Sequence, residues 1–371
     1  MAIVKFGDIV RDVKINVDRT NNPYEHYVAG DHMDSEDLTI HRFGSFATDD
    51  VGPAFTRIFK PGQILYGSRR TYLKKVAVAD FEGICANTTF VLESKDESIF
   101  DNRLLPFIML SDAFTRWSVS HSKGSTNPYV LFSDLAGYEF SLPPLEEQRL
   151  LADKLWAAYR LKESYQKLLA ATEEMVKSRF IGIFQDKEPN GKISDLVDTN
   201  IKSVKKSYSK DDVIEYIDIS SVDAKNRSIK ETNQHVVHSA PSRAQQCVVK
   251  GDILVSTVRP VNRNIAVINR SLSNLVASTG FCVLRPKEGF GEYLLAIITS
   301  DKFTESMCDI ASGGLYPAVN NGDVLSYPIY IPDNDTLNRV TALYHQADKS
   351  EFELRKSIEA TDAVIKSLIN S

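Results

Sequence analysis

Apolar positions along the chain follow two patterns, one short and one long. Short alternating or continuous apolar runs read as strands: Gln63-Ile64-Leu65-Tyr66, Val76-Ala77-Val78 and Thr89-Phe90-Val91-Leu92, then Asp252-Ile253-Leu254-Val255 and Phe281-Cys282-Val283-Leu284. Turn residues punctuate them at Pro61-Gly62, Lys250-Gly251, Asn127-Pro128 and Gly313-Gly314. The stretches Arg103 to Ser118 and Glu292 to Cys308 each predict one helix among the strands. The long pattern lies near the C-terminus, where Leu337, Val340, Tyr344, Ala347, Glu351, Leu354, Ile358, Thr361, Ile365 and Leu368 advance by steps of three and four. That spacing is a heptad seam. A weaker seam in the same register runs through Gln148, Leu151, Leu155, Ala158, Lys162, Tyr165, Leu169, Thr172, Val176 and Arg179.

Each seam predicts a helix of about 35 residues, roughly 50 Å long at the usual rise per residue. The first begins at Pro143-Pro144, where a fixed φ suits a first turn, and Glu146 and Glu147 favour the positive end of the helix dipole. The second follows Pro332, with Asp333 or Asp335 as its N-cap. A narrow seam sustained over about five heptads is what a helix needs to meet another helix, so the two are expected to pair. A two-fold relating them makes the pairing antiparallel and sets two globular parts at opposite ends of a rod. It also brings Lys162 close to Glu351, an opposite-charge pair expected to fix the register.

The two seams share a register because the chain is duplicated. Tyr27-Val28 recurs as Tyr216-Ile217, Gly62 as Gly251, Arg70 as Arg259, Pro128 as Pro317 and Tyr138 as Tyr327, always 189 positions on. A period that long is a domain rather than a solenoid repeat. The expected class is α+β, with two tandem strand-rich domains separated by two long helices that form an antiparallel coiled coil. The boundaries are 1–142 for the first domain, 143–182 for its helix, 183–191 for a linker, 192–332 for the second domain and 333–371 for the closing helix.

Composition adds little to this. Apolar residues are 43% and charged residues 25%, ordinary values for a globular protein. No apolar run nears the roughly 18 residues that span a bilayer, and the polar stretch from Met1 to Thr20 does not read as a signal peptide, so a cytoplasmic protein without membrane association is expected. The four cysteines, Cys85, Cys247, Cys282 and Cys308, are scattered and read as reduced thiols. Enzyme motifs fail one by one. Gly191-Lys192 is followed by Ile193 and so makes no phosphate loop, and Asn127-Pro128-Tyr129 lacks the second proline of an amino-methyltransferase motif. His235 and His238 have no further ligands at metal spacing. Neither a catalytic centre nor a metal site is expected.

Binding chemistry is concentrated in two polar loops per copy. In the first, Gly67 to Lys75 carries Ser68, Arg69, Arg70, Tyr72 and Lys74, and the second copy places Thr257, Arg259, Asn262 and Arg263 in the same location. Arginine and lysine can bond guanine edges or neutralise phosphates, and small hydroxyls can bond phosphate oxygens. The other loop, Ser120 to Tyr129, offers Lys123, Ser125, Thr126, Asn127 and Tyr129, matched by Ser312 to Pro317 with Tyr316. Asn21-Asn22, His41-Arg42 and the lysines 202, 205, 206 and 210 are weaker candidates. With 44 basic against 49 acidic residues and a net charge of −5, any binding of double-stranded DNA must rest on such local patches. A non-enzymatic adaptor with two protein-binding domains on a helical stalk is the other reading these features allow.

Leu142-Pro143-Pro144-Leu145-Glu146-Glu147-Gln148-Arg149, together with Lys123 to Tyr129, Asp134-Leu135 and Gly62 to Arg69, resembles the specificity subunits of type I restriction-modification systems. The resemblance extends over the whole chain, although the second helix opens on Pro332-Asp333-Asn334-Asp335-Thr336 in place of the first helix's motif. It implies two target recognition domains, each reading one half of a split DNA site, with the helices as a spacer and as a dock for methyltransferase (M) subunits. It also implies restriction (R) subunits as partners. S-adenosylmethionine, ATP and Mg would then belong to those partners, with no cofactor in this chain.

Overall fold

A computed structural model describes residues 2–18, 21–272 and 274–370 and divides the chain into two compact units. One comprises residues 1–167 with 354–371, the other residues 168–353. The long helices, Leu145–Phe184 and Asn334–Asn370, each contribute a part to both units and are 40 and 37 residues long, close to the length expected from the sequence.

In the first unit Val10–Asp12, Thr89–Ser94, Ile64–Gly67 and Val76–Val78 form an antiparallel four-stranded sheet in that order. A second four-stranded sheet orders Gly44–Ser45, His26–Val28, Gly83–Ala86 and Phe55–Phe59, and its middle pair is parallel. The second unit repeats both sheets. Val197–Asp198, Phe281–Pro286, Ile253–Ser256 and Ile265–Val267 make one, and Asn233–Val236, Val213–Ile217, Leu275–Ser278 and Ala244–Cys247 make the other, again with a parallel middle pair. Even the irregularity recurs: a bulge at Phe55/Arg57 reappears at Ala244/Gln246. The offset between the copies is not constant, however. Ile64 faces Leu92 while Ile253 faces Leu284, so the offset widens from 189 to 192 positions in that strand, and it is back to 189 at Asp112 and Asp301.

Each helix expected between the strands is in fact two. Leu105–Leu110 is followed by Asp112–Ser120, and Gly291–Ile298 by Asp301–Ile310. A serine causes the break in both copies. Ser111 and Ser300 sit in extended backbone and accept a hydrogen bond from the NH groups of Phe114 and Phe303, which starts a new helix.

The helix seams lie where the spacing placed them, with differences in register. In the first unit Leu155, Tyr159 and Ile365 are buried in one cluster with Phe107 and Leu105, so the start of one long helix lies against the end of the other. In the second unit Leu337 and Val340 pack with Phe180, Ile183 and Phe184, and the Phe180 and Tyr344 rings lie 6.4 Å apart. The pairing is therefore antiparallel. In the second unit Phe180 packs at the seam position assigned to Arg179, and in the first unit Tyr159 and Ala152 are buried although neither belongs to the expected register. Lys162 bonds Asp362 at 2.6 Å, a partner the heptad register did not assign to it. Heptad spacing identifies the two stripes, but it carries no information about which residue of one meets which residue of the other.

The two starts differ as well. Gln148, buried, donates to the carbonyls of Ile99 and Pro143 and accepts from the NH of Asp101, tying the helix to its own domain. Its counterpart is Leu337, which joins the apolar core instead, and Asp333 caps that helix through the NH of Thr336. Cys85 and Cys282 are buried, and burial pushes both thiols up to about 12. Among the described residues no helix is long and apolar enough to cross a membrane, and no group of three or more His, Cys, Asp or Glu is placed to hold a metal ion.

Candidate nucleic-acid interface

In each unit the two polar loops are bonded into one frame. Strand Ile64–Gly67 ends in Ser68-Arg69-Arg70, a 3-10 turn over Thr71–Leu73 follows, and Lys74 leads into the next strand. The NH of Arg70 donates to the Pro128 carbonyl at 2.7 Å, and the NH of Val130 donates to the Ser68 carbonyl at 3.0 Å. Lys123 and Tyr129 close the second loop on itself through reciprocal bonds of 2.8 and 2.9 Å. The second unit makes the same bonds at its equivalent positions. Arg259 NH reaches Pro317 at 2.7 Å, Val319 NH reaches Thr257 at 2.9 Å, and Ser312 and Ala318 bond reciprocally at 3.0 and 2.8 Å.

The frame has an uncommon backbone. Arg70 and Lys74 have φ of 51° and 48°, and Arg259 and Arg263 have 50° and 49°, so each 3-10 turn is flanked on both sides by left-handed residues that are not glycine. Such conformations are disfavoured for residues with a Cβ and persist where surrounding bonds impose them. The bonds to Pro128 and Pro317 supply that constraint. Gly124 and Gly313 take φ of 85° and 106° at the tip of the partner loop, where only glycine is at ease.

On this frame the predicted residues sort into outward and inward groups. Arg69, Arg70, Tyr72, Lys123, Ser125, Thr126, Asn127 and Tyr129 are exposed in the first unit, as are Asn262, Arg263 and Tyr316 in the second. Ser68 and Thr257 are not. Both are buried and donate their hydroxyls to the carbonyls of Thr88 and Gly280, so they hold the loop rather than offer it to a ligand. A hydroxyl in a polar run can face either way, and at these two positions the strand ends turn it inward. Lys74 is also half-buried, its ammonium between Asp112 at 3.0 Å and Glu36 at 3.2 Å. Arg263 bonds Asp301 at 2.5 Å, the equivalent of the Lys74–Asp112 pair. Hydrogen bonding and attraction from Lys74 hold the Asp112 carboxyl below the usual carboxylate range, and Arg263 does the same for Asp301.

Free positive charge is distributed unequally. Among the described residues Arg69 and Arg70 make no ion pair, while Lys123 is partnered by Asp134 at 3.0 Å. In the second unit Val258 stands where the first has Arg69, and Arg259 lies 4.5 Å over the Tyr316 ring while donating to the Leu315 carbonyl at 3.2 Å. Sequence reasoning missed this stack, because its two members belong to different loops. The weaker candidates His41 and Arg42 are paired with Asp37 and Asp34.

Residues 16–173 match the family described as the type I restriction modification DNA specificity domain, a span that includes the whole first frame. That matched stretch, less than half of the chain, is similar to the DNA specificity domains of type I restriction-modification systems. Over 129 residues the chain is 31% identical to the HindI specificity subunit of Haemophilus influenzae, covering 34% of this chain and 28% of the relative. Over 167 residues it is 26% identical to the EcoDI specificity subunit of Escherichia coli, covering 45% and 36%. The matched stretches thus span about a third of those relatives' own lengths. The solved S subunit of a type I system from M. genitalium matches over 100% of this chain and 96% of that one, with a TM-score of 0.55 at 13% identity, a likeness of fold.

Proposed function

We propose that this chain is a type I restriction-modification specificity subunit that reads a bipartite DNA sequence, one half with each loop frame, while the paired helices set the spacing between halves and dock methyltransferase subunits. The observation that carries the reading is the repeated frame: the same backbone bonds at equivalent positions of the two copies support different side chains, which is what two readers of two different half-sites require. Arg69 and Arg70 in one copy and Arg259 in the other are the base-reading candidates, and Ser125, Thr126 and Asn127 are placed to bond phosphates or base edges. Lys74 and Arg263 buttress the turns. In this reading the chain is non-catalytic, the S-adenosylmethionine chemistry, ATP and Mg belong to the M and R subunits, and the assembly works in the cytoplasm.

With a net charge of −5 the isolated chain binds DNA weakly and with steep salt dependence, and partner subunits add the basic surface. Methylome sequencing of cells carrying this chain with its partner subunits tests the reading. The expected result is one split motif with a fixed gap; a continuous motif, or none, overturns it.

A further inference from the structure

We propose that the second copy reads a thymine methyl group with Leu315, beside the base read by Arg259. The inference rests on the function proposed above, in which each loop frame faces DNA, and it adds the chemistry that one frame selects.

Leu315 is 77% exposed, and on the same frame Val261 is 66% and Tyr316 62% exposed. None of the three belongs to a core cluster of the unit. Leu315 is nevertheless held in place. Arg259 donates to its carbonyl and stacks on the ring of the next residue, and the Arg259 NH locks the loop to Pro317. A bare aliphatic side chain on a backbone that is bonded to a guanidinium suits a surface that alternates apolar and hydrogen-bonding features. The major-groove edge of DNA is such a surface: its one apolar group is the C5 methyl of thymine, and guanine O6 and N7 accept from arginine. The first copy places Thr126 and Asn127 at the positions of Leu315 and Tyr316, and Tyr72 at that of Val261. Asparagine bonds adenine N6 and N7, so the same backbone there serves hydrogen-bond reading.

The test uses the assembled methyltransferase complex and duplexes carrying its methylome-defined site, with each thymine replaced in turn by deoxyuridine, which removes only the methyl group. One replacement is expected to weaken binding roughly four-fold, the effect of one buried methyl. In the complex built with Leu315→Ala that penalty should vanish, while penalties at other thymines persist. Leu315 is outside the core, so the variant folds. If every deoxyuridine penalty survives Leu315→Ala, or if the site holds no sensitive thymine, the proposal is overturned and the function stands. If Leu315→Ala weakens thymine and uracil duplexes equally, or weakens assembly of the complex, Leu315 meets phosphate or protein and the proposal is again overturned. Absence of a split motif overturns both.

Discussion

The two units put the same backbone to different uses, and the contrast is sharpest where equivalent positions of the two copies are set side by side. Arg70 and Arg259 share a left-handed conformation and a bond to a proline carbonyl, yet Arg70 stands beside a second unpaired arginine and Arg259 lies on a tyrosine ring. At the start of the strand that leads into each loop, Gln63 and Asp252 each accept the NH of the residue three before them and so shape the same turn. Across the sheet Gln63 donates to Glu93, whereas Asp252 receives a two-pronged bond from Arg285 at 2.7 and 2.8 Å. The turn requires an acceptor at that position, and either side chain provides one. The charge that accompanies it was free to vary, because the neighbouring strand could supply the complement. Backbone bonds define the loop frame, and the side chains differ between the two copies that carry it.

The harshest way to break the comparison is to remove the buried acceptor. Asp252 is fully buried, so Asp252→Ala leaves the Arg285 guanidinium without its partner and is expected to destabilise the second unit by about 3–5 kcal/mol. Gln63→Ala removes neutral hydrogen bonds at the equivalent turn and is expected to cost only about 1–2 kcal/mol in the first unit. Urea denaturation followed by hydrogen exchange in each unit measures both. Equal losses would mean that the ion pair adds nothing beyond the turn cap.

Much of this architecture was legible in the chain, and the gaps share a cause. Three-and-four spacing identifies a buried stripe from local geometry alone, which is why Leu155, Val176, Val340 and Ile365 were found. Which residue faces which depends on how the two stripes are aligned, so the bond from Lys162 to Asp362 was not foreseen. The loops were legible as polar runs bounded by strands. Their joining through the Arg70–Pro128 and Arg259–Pro317 bonds was not, since each links segments far apart in the chain through backbone atoms that every sequence has. The inward turn of Ser68 and Thr257 escaped for the same reason.

A milder change sharpens the contrast between readers. Arg70→Ala is expected to relax the requirement at one half-site by about 1–3 kcal/mol per lost base contact and leave the other intact, with Arg259→Ala doing the reverse. Binding of the assembled complex to duplexes altered in one half at a time is the measurement. A substitution that weakens both halves alike reassigns its arginine to phosphate or to the frame. Tyr316→Ala should have a smaller effect on the second half-site alone, about 0.5–1 kcal/mol, because it removes the ring that holds Arg259 in place.

The helix pair offers a third, smaller asymmetry. Lys162 and Asp362 are bonded in the first unit, and the equivalent positions of the other copy hold Glu351 and Glu173, two carboxylates that cannot make the same pair with each other. Lys162→Met is expected to cost about 1 kcal/mol, between the values for exposed and buried pairs, since Asp362 keeps its bond to Lys366 at 3.0 Å. A double-mutant cycle with Asp362→Asn, followed by thermal melts, isolates the pair from the packing of the two side chains. Losses that simply add would show that both positions matter only as seam volume.

The finest difference lies in the buttresses, where a cation pairs with an acid in both copies but is more enclosed in the first. Lys74 is half-buried between Asp112 and Glu36, and Arg263 is exposed beside Asp301. Both aspartates are held below the ordinary carboxylate value, so each pair contributes its stability above that value and loses it as pH falls through the depressed one. Neither turn should respond to pH between 5 and 8, because both carboxylates stay ionised throughout. In a carboxylate NMR titration, Lys74→Gln is expected to return Asp112 toward its ordinary value and leave Asp301 unmoved, and Arg263→Gln should do the converse. The depression at Asp112 comes first from the hydrogen bond and attraction of Lys74, with Arg116 and Lys366 contributing less, so part of it survives Lys74→Gln. At Asp301 Arg263 is the main cause and Lys177 a minor one, so the recovery there should be the more complete of the two. If Asp112 recovers fully while Asp301 does not, Lys366 and Arg116 lie too far off to matter and the first buttress is the more isolated of the two.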